Sequence, residues 1–301
     1  MIFKNLNKNF YLQLKTIYLE KYYIYYILMK ILNETLKYIS KNFIFVLAFA
    51  IIPACFIGGM LQPFSILSFL INYNNSSISN FGDVLVGLFG MNWMQVINWV
   101  FASIILILVL SALLGNIENH FRSGKLNLAS STGFINNNVL ATSVYFLFYI
   151  VAYLVFKFLL ALFIFILHIV FGRLGLTPSV VLLVFVIIFS TVALAFFAML
   201  FMYLMLGLID TLNSGYSFRT SMSNVGELLR NKSLKILIMV ILPFCLVIPI
   251  VMLGNLFGFA TISNIVTLIL LFIYYPVLGY TCYYELSGIT RYDNIKNYFK
   301  S

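Results

Sequence analysis

The residues best suited to chemistry are three acidic side chains that recur in similar surroundings. They are Glu118, Asp210 and Glu285, and each follows a Leu-Gly pair and precedes a Ser-Gly pair. Three carboxylates that met at one place would bind a cation or the basic surface of a partner. Alternatively, each carboxylate pairs with a cation nearby in the sequence. The candidate cations are Arg122, Arg219 and Arg291.

No other grouping of residues indicates catalysis. The sequence has no G-x-S-x-G, H-E-x-x-H or P-loop pattern, and it contains only two histidines. The cysteines, Cys55, Cys245 and Cys282, lie in or at the end of apolar segments without C-x-x-C spacing, which is typical of small buried side chains. We therefore expect no enzymatic activity, no cofactor, no metal site and no disulfide.

Lys157 is an ionisable residue inside a long apolar run, a position that is costly and often functional. It lies 18 residues after Val139, or about 27 Å along a helix at 1.5 Å per residue. Its long side chain is then able to reach the outer headgroups. The spacing favours this snorkelling over a place in a polar pathway.

Prolines and glycines mark irregular points in the apolar runs. Pro53, Pro243 and Pro249 are expected to kink or break their helices, because proline lacks an amide donor. Interrupted helices form binding sites in some transporters, although kinks used only for packing are commoner. The adjacent Gly58 and Gly59 indicate close contact between helices.

The composition of the chain is that of a membrane protein. Of 301 residues, 63% are hydrophobic and 9% are charged, whereas soluble domains carry about 25% charged residues. Six apolar runs are long enough to cross about 30 Å of hydrocarbon, and they must be helices because lipid offers no partner to the backbone. The predicted spans are 43–61, 96–115, 139–160, 180–208, 236–256 and 265–284.

The basic residues predict the orientation. Sixteen of the 18 lysines and arginines lie in residues 1–42, in the connections 116–138 and 209–235, or in the tail 289–301. The positive-inside rule then places both termini in the cytoplasm, with the chain in a bacterial cytoplasmic membrane. The net charge of +10 is accordingly assigned to contact with the lipid bilayer and not to nucleic acid.

A threefold internal repeat is predicted within the polytopic all-α fold. Residues 52–55 and 242–245 share a proline and a cysteine at an offset of 190 residues, and the three Leu-Gly and Ser-Gly pairs recur together. An N-terminal interfacial segment, 1–42, would lead into a transmembrane domain, 43–301. The repeated units would span about 28–124, 125–215 and 216–288, each with an interfacial amphipathic helix and a helical hairpin.

The interfacial helices are predicted from apolar spacing. Phe218, Met222, Val225 and Leu229 fall on one face of a helix, with polar residues opposite them. Such helices suit the headgroup region, with their apolar faces toward the lipid. In the middle unit, 125–138, the pattern is weak. The first unit repeats the spacing with Leu32, Leu36, Ile39 and Phe43.

Two stretches resemble a known family. The sequence from Ser217 to Ser221 and the ending from Tyr283 to Gly288 look like the integral membrane domain attached to some bacterial glycerophosphodiester phosphodiesterases, and its stand-alone polytopic relatives of unknown function. The third unit carries the resemblance best. Because that family's hydrolytic activity lies in a separate soluble domain, the resemblance implies the architecture and no catalytic residue.

Two functions fit these observations. The first is a non-enzymatic integral membrane subunit that organises or docks protein partners or lipid at the cytoplasmic membrane. Its docking residues would be Phe218, Met222 and Leu229 together with the three acids. The alternative is a permease, or the membrane component of a transporter for an apolar or amphipathic solute, with the proline-containing helices along the path. Co-purifying partners would favour the first function, and flux in liposomes the second.

Overall fold

The structure is a computed structural model that describes residues 28–61, 63–66, 69, 78, 80–89, 93–173, 180–230 and 232–295. Within these residues the chain is helical and has no strand. Most of the predicted N-terminal segment, 1–27, and the end of the tail, 296–301, lie outside the described residues.

Six long apolar helices form the body of the protein. The helices are α1 (28–41), α2 (Phe43–Met60), α3 (Phe81–Phe89), α4 (Trp93–Ser123), α5 (Ser131–Arg173), α6 (Val180–Ser214), α7 (Phe218–Leu229), α8 (Ser233–Ile241), α9 (Phe244–Leu256), α10 (Ala260–Ser287) and α11 (Tyr292–Ile295). Helices α2, α4, α5, α6 and α10, and the pair α8–α9, are long and apolar enough to cross a membrane. The prediction of six transmembrane helices is confirmed.

Helix α10 lies at the centre of the bundle. It packs against α2, α4, α6 and α9, and its contact with α2 brings the first and last spans together. In its most apolar stretch 67% of the residues are buried, against 11% for α6. The last span is therefore the main core element, while the α5–α6 hairpin is more peripheral.

The outward faces of the spans are apolar. Leu140 and Val151 on α5, and Phe196 on α6, are 76%, 52% and 76% exposed. Such side chains continue along both helices, which a water-soluble protein would not tolerate over so large an area. Lipid is the solvent that this surface fits.

The short helices only partly follow the predicted repeat. In α1 the buried side is formed by Ile31, Thr35 and Tyr38, whereas Leu36 and Phe43 of the predicted apolar stripe are exposed. Helix α5 begins at Ser131 after a short 3-10 turn, with no separate helix between α4 and α5 in the described residues. The Ser-Gly pairs do agree: Gly124, Gly215 and Gly288 all adopt positive φ angles of 65°, 70° and 70° as left-handed caps. The threefold repeat stays a prediction.

The α5–α6 hairpin is longer than a bilayer requires. Helix α5 has 43 residues, or about 65 Å, against about 30 Å of hydrocarbon. Its distal part is covered by α3, and a second core forms there from Val84, Leu88, Leu160 and Ile164. That α3 covers this hairpin was not predicted from the sequence.

The prediction that Lys157 snorkels to the headgroups is wrong. The residue is 1% exposed, and its ammonium donates to Ser65 Oγ at 3.0 Å. The rings of Phe89 and Tyr153 lie 5.3 and 4.8 Å from the Lys157 nitrogen. The reason is that α3 packs over this part of α5, so that Lys157 lies in the interior and does not reach the headgroups.

Only one of the three proline positions interrupts its helix. Pro243 lies in the turn between α8 and α9, while Pro53 and Pro249 lie inside the continuous helices α2 and α9. Pro243 leaves carbonyl groups of the preceding turn without their helical donors. These groups are satisfied by α10, because Tyr275 Oη donates to the carbonyl oxygen of Val240 at 2.8 Å and Tyr274 Oη to that of Met239.

Candidate functional site

The charged end of the bundle is defined here as the end where α2, α5 and α8 begin and α4, α6 and α10 finish. It holds all three acids that the sequence singled out, but each has a partner of its own. Glu118 pairs with Arg122 at 3.0 Å and Glu285 with Lys30 at 2.7 Å. The described residues contain no group of three His, Cys, Asp or Glu side chains that could hold a metal ion. A shared cation site is not formed.

Asp210 is the most enclosed of the three acids, at 3% exposed. It accepts hydrogen bonds from Tyr283 Oη at 2.8 Å and from Asn224 Nδ2 at 3.1 Å. Hydrogen bonds to a charged acceptor are stronger than neutral ones. Asp210 therefore joins α6, α7 and α10, and its predicted partner Arg219 points to the exposed side of α7.

Arg122 forms a second link between spans. Its guanidinium donates to Asn213 Oδ1, at 2.7 Å from Nη2, and also to the carbonyl oxygen of Asn213. Tyr284 Oη donates to the same side-chain oxygen at 3.3 Å. A cavity of about 490 Å³ lies beside this link, between α4, α5 and α6, and its lining includes Glu118, Asn137 and other polar residues.

Arg291 holds the tail against α1 and α4, a role that the sequence did not indicate. Its Nε and Nη2 donate to Asp293 Oδ1 and Oδ2 at 3.2 and 2.8 Å. The guanidinium lies 4.0 Å from the centre of the Phe121 ring. The predicted partner of Glu285 is thus engaged elsewhere, because the chain turns back after Gly288 and carries Arg291 to α4.

A smaller cavity of about 170 Å³ lies beside Arg291. Its lining includes Lys37, Tyr38, Lys41 and His120. The Tyr38 hydroxyl and His120 Nδ1 are 3.0 Å apart. Burial raises the pKa of the Tyr38 phenol, so this group stays neutral at physiological pH.

The amphipathic helix predicted at 218–229 is present as α7, but its apolar face turns inward. Phe218 stacks on Phe148 with ring centroids 4.5 Å apart, and Leu229 is 8% exposed. Met222 packs against α6, since a Cβ on Gly207 would lie 2.7 Å from its sulfur. The proposed docking residues on this face contact the chain itself, which leaves the outward face for a partner.

Charge is divided between the inside and the outside of the charged end. The carboxylate side chains of Glu34, Glu118 and Glu285 are only 16%, 14% and 16% exposed, and Asp210 is buried. Glu227 is an exposed exception. Most cations at this end lie outside; among the described residues the exposed ones are Lys30, Lys37, Lys41, Arg122, Lys125, Arg219 and Arg230, whereas Arg291 is buried.

The cysteines add no chemistry to this end. All three are free; Cys282 is buried in α10, but Cys55 and Cys245 are exposed on the helices that carry them, so the prediction of burial is right for one of them.

Comparison of the chain with protein-family models, with curated proteins and with solved structures finds no match in any of the three.

Proposed function

We propose that this protein is a non-enzymatic integral membrane subunit that docks protein partners or lipid at the cytoplasmic membrane, with its charged end in the cytoplasm. The observation that carries the proposal is the division of charge at that end. Acids such as Glu118 and Glu285 are held inside by ion pairs, while cations such as Arg219 and Arg230 are exposed. The surface of the partner or lipid that docks on these cations is then anionic.

The electrostatics of a bilayer support this assignment. Anionic headgroups attract lysine and arginine with about 1 kcal/mol per residue near the surface. The links made by Asp210 and Arg122 fix the ends of α4, α6 and α10 relative to one another. A fixed cationic surface loses little entropy when it binds, which favours docking.

The resemblance to membrane domains that accompany soluble hydrolases belongs to the same proposal. In that family the membrane domain is not the part that carries the hydrolytic activity. The stretch from Ser217 to Ser221, on which the resemblance rests, includes the start of α7 and the exposed Arg219. An anionic protein surface docked on α7 would use the same side chains as an anionic lipid.

Transport would need a path for the solute along the spans. The helix interruption at Pro243 is the feature that favours such a path. The carbonyl groups of Met239 and Val240 beside that interruption already accept hydrogen bonds from Tyr274 and Tyr275. Groups occupied in this way are not free to bind a solute. The interruption supports helix packing, and docking remains the better-supported function.

The test is charge reversal on the outward face of α7. We expect Arg219→Glu with Arg230→Glu to lower both the co-purifying protein and the phosphatidylglycerol per chain, measured after mild detergent extraction from the native membrane. Arg219→Lys with Arg230→Lys keeps the charge and is expected to retain both. Equal recovery from wild type and both double variants would refute the proposal.

A further inference from the structure

The smaller cavity lies beside a buried guanidinium nitrogen that has no hydrogen-bond acceptor in the described part of the chain. Arg291 is among the residues that line this cavity, and its side chain is 4% exposed. Its Nε and Nη2 donate hydrogen bonds to Asp293, but the buried Nη1 has no hydrogen-bond partner among the residues that the structure describes. Oε2 of Glu34 lies 3.8 Å from this nitrogen, beyond hydrogen-bond distance. A buried charged donor of this kind needs an acceptor.

The charges around the cavity favour an anion. Three cations, Arg291, Lys37 and Lys41, face two carboxylates, Glu34 and Asp293. Asp293 is bonded to Arg291, and Glu34 lies 3.6 Å from Lys37. Lys41 has no ion pair in the described part of the chain. One net positive charge therefore remains, which a phosphodiester with its single negative charge would balance.

The place of the cavity in the fold indicates a lipid. Lys41 and Asn42 line the cavity, and the first span begins at the next residue. That residue, Phe43, and its neighbour Ile44 are 47% and 83% exposed. A lipid whose acyl chain lay against these two side chains would have its headgroup at the level of Lys41.

We propose that this cavity binds the phosphate group of a membrane phospholipid, with Arg291 Nη1, Lys37 and Lys41 as donors. The cavity, with a volume of about 170 Å³, has room for a phosphate group. The inference rests on the proposed function, since it names the chemistry of a lipid that the charged end docks.

The experiment is lipid binding to the delipidated full-length protein, followed by native mass spectrometry. Phosphatidylglycerol is compared with a phosphate-free glycolipid of the same acyl chains, and inorganic phosphate is titrated separately. We expect one tightly held phosphatidylglycerol in wild type and about tenfold weaker binding in Lys37→Gln with Lys41→Gln, because charge-assisted hydrogen bonds are lost. The control, Lys125→Gln with Lys235→Gln, removes the same charge outside the cavity, leaves the docking residues Arg219 and Arg230 unchanged, and is expected to keep this lipid.

The two phosphate sources separate in the titrations. Binding of phosphatidylglycerol without binding of inorganic phosphate identifies the lipid, while equal binding of inorganic phosphate identifies a soluble ligand of the same chemistry. Equal loss in the test and control variants, wild-type binding in Lys37→Gln with Lys41→Gln, or equally tight glycolipid binding would overturn the inference. Loss of docking on Arg219→Glu with Arg230→Glu would still support the proposed function, so the two failures are distinguishable.

Discussion

Tyr274 Oη donates a hydrogen bond to the main-chain carbonyl oxygen of Met239, 3.0 Å away, and this is the carbonyl that Pro243 deprives of its helical donor. In lipid no water is available to replace that donor. The hydroxyl group of α10 thus completes the interrupted fifth span. The two helices are coupled because the defect in one is repaired by the other.

The first prediction concerns this repair. Tyr274→Phe is expected to lower the free energy of unfolding by about 0.6 to 1.7 kcal/mol, the range for interhelical hydrogen bonds in membranes. With Pro243→Ala, residue 243 regains an amide donor for Met239, so the cost of Tyr274→Phe should fall close to zero. Unfolding in mixed micelles measures all four proteins of this cycle.

Tyr203 is the matched control for this double-mutant cycle. Tyr203 Oη also donates to a carbonyl oxygen, that of Met222, at 2.7 Å, and no proline is involved there. The cost of Tyr203→Phe should therefore be the same with Pro243 or Ala at position 243. A cost of Tyr274→Phe that is unchanged by Pro243→Ala would show that the hydroxyl group does not replace the missing donor.

The spans were predictable because length and hydropathy are local properties of a sequence. A helix kink or break was predicted at both Pro53 and Pro243, yet only Pro243 interrupts a helix. The neighbouring residues in the sequence do not distinguish the two prolines. Lys157 was misjudged because its environment is made by α3, more than 60 residues earlier in the chain. Arg291 was predicted to pair with Glu285, and its contacts with Phe121 and Glu34 were missed because they depend on long-range packing.

Gly58 and Gly59 are adjacent in α2 but face different surroundings. The predicted close contact between helices is present at Gly58 and absent at Gly59 in the described structure. A Cβ on Gly58 would lie 2.8 Å from Ile265 Cγ1 and 2.9 Å from its backbone nitrogen, whereas one on Gly59 meets nothing within 4 Å. Gly58→Ala should destabilise the protein by about 1 to 3 kcal/mol through overpacking. Gly59→Ala should be neutral or stabilising by up to about 1 kcal/mol.

Thermal unfolding in detergent compares these two variants under the same conditions. The pair controls for helix propensity, because both substitutions are Gly→Ala in one helix. If both variants unfold at the same temperature, then α2 and α10 are not in the close contact described.

Lys157→Met is expected to leave stability unchanged or to raise it. The ammonium is buried with Ser65 as its hydrogen-bond acceptor and without a carboxylate within ion-pair distance in the described residues. Removing a poorly compensated buried charge, while keeping the apolar stem, relieves a desolvation cost. Ser65 retains its own hydrogen bond to the carbonyl oxygen of Leu88 at 2.7 Å.

The comparison for this prediction is Lys157→Ala, which also removes the buried aliphatic stem. It should lower the free energy of unfolding by about 2 to 5 kcal/mol, as large-to-small core substitutions do. A Lys157→Met protein as unstable as Lys157→Ala would mean that the ammonium itself holds α3 in place.

The last prediction is the orientation of the charged end. In a protein with Cys55, Cys245 and Cys282 replaced by alanine, single cysteines are placed at Ala129 and Thr220, which are exposed at the charged end. A third, Arg173→Cys, lies at the opposite end of α5. An impermeant maleimide should label Arg173→Cys on intact spheroplasts, and Ala129→Cys and Thr220→Cys only after lysis. The physical reason is that 16 of the 18 basic residues lie in residues 1–42, in the connections 116–138 and 209–235, or in the tail 289–301, and such clusters stay on the cytoplasmic side during insertion. The reverse labelling pattern would place the cationic surface, and anything docked on it, outside the cell.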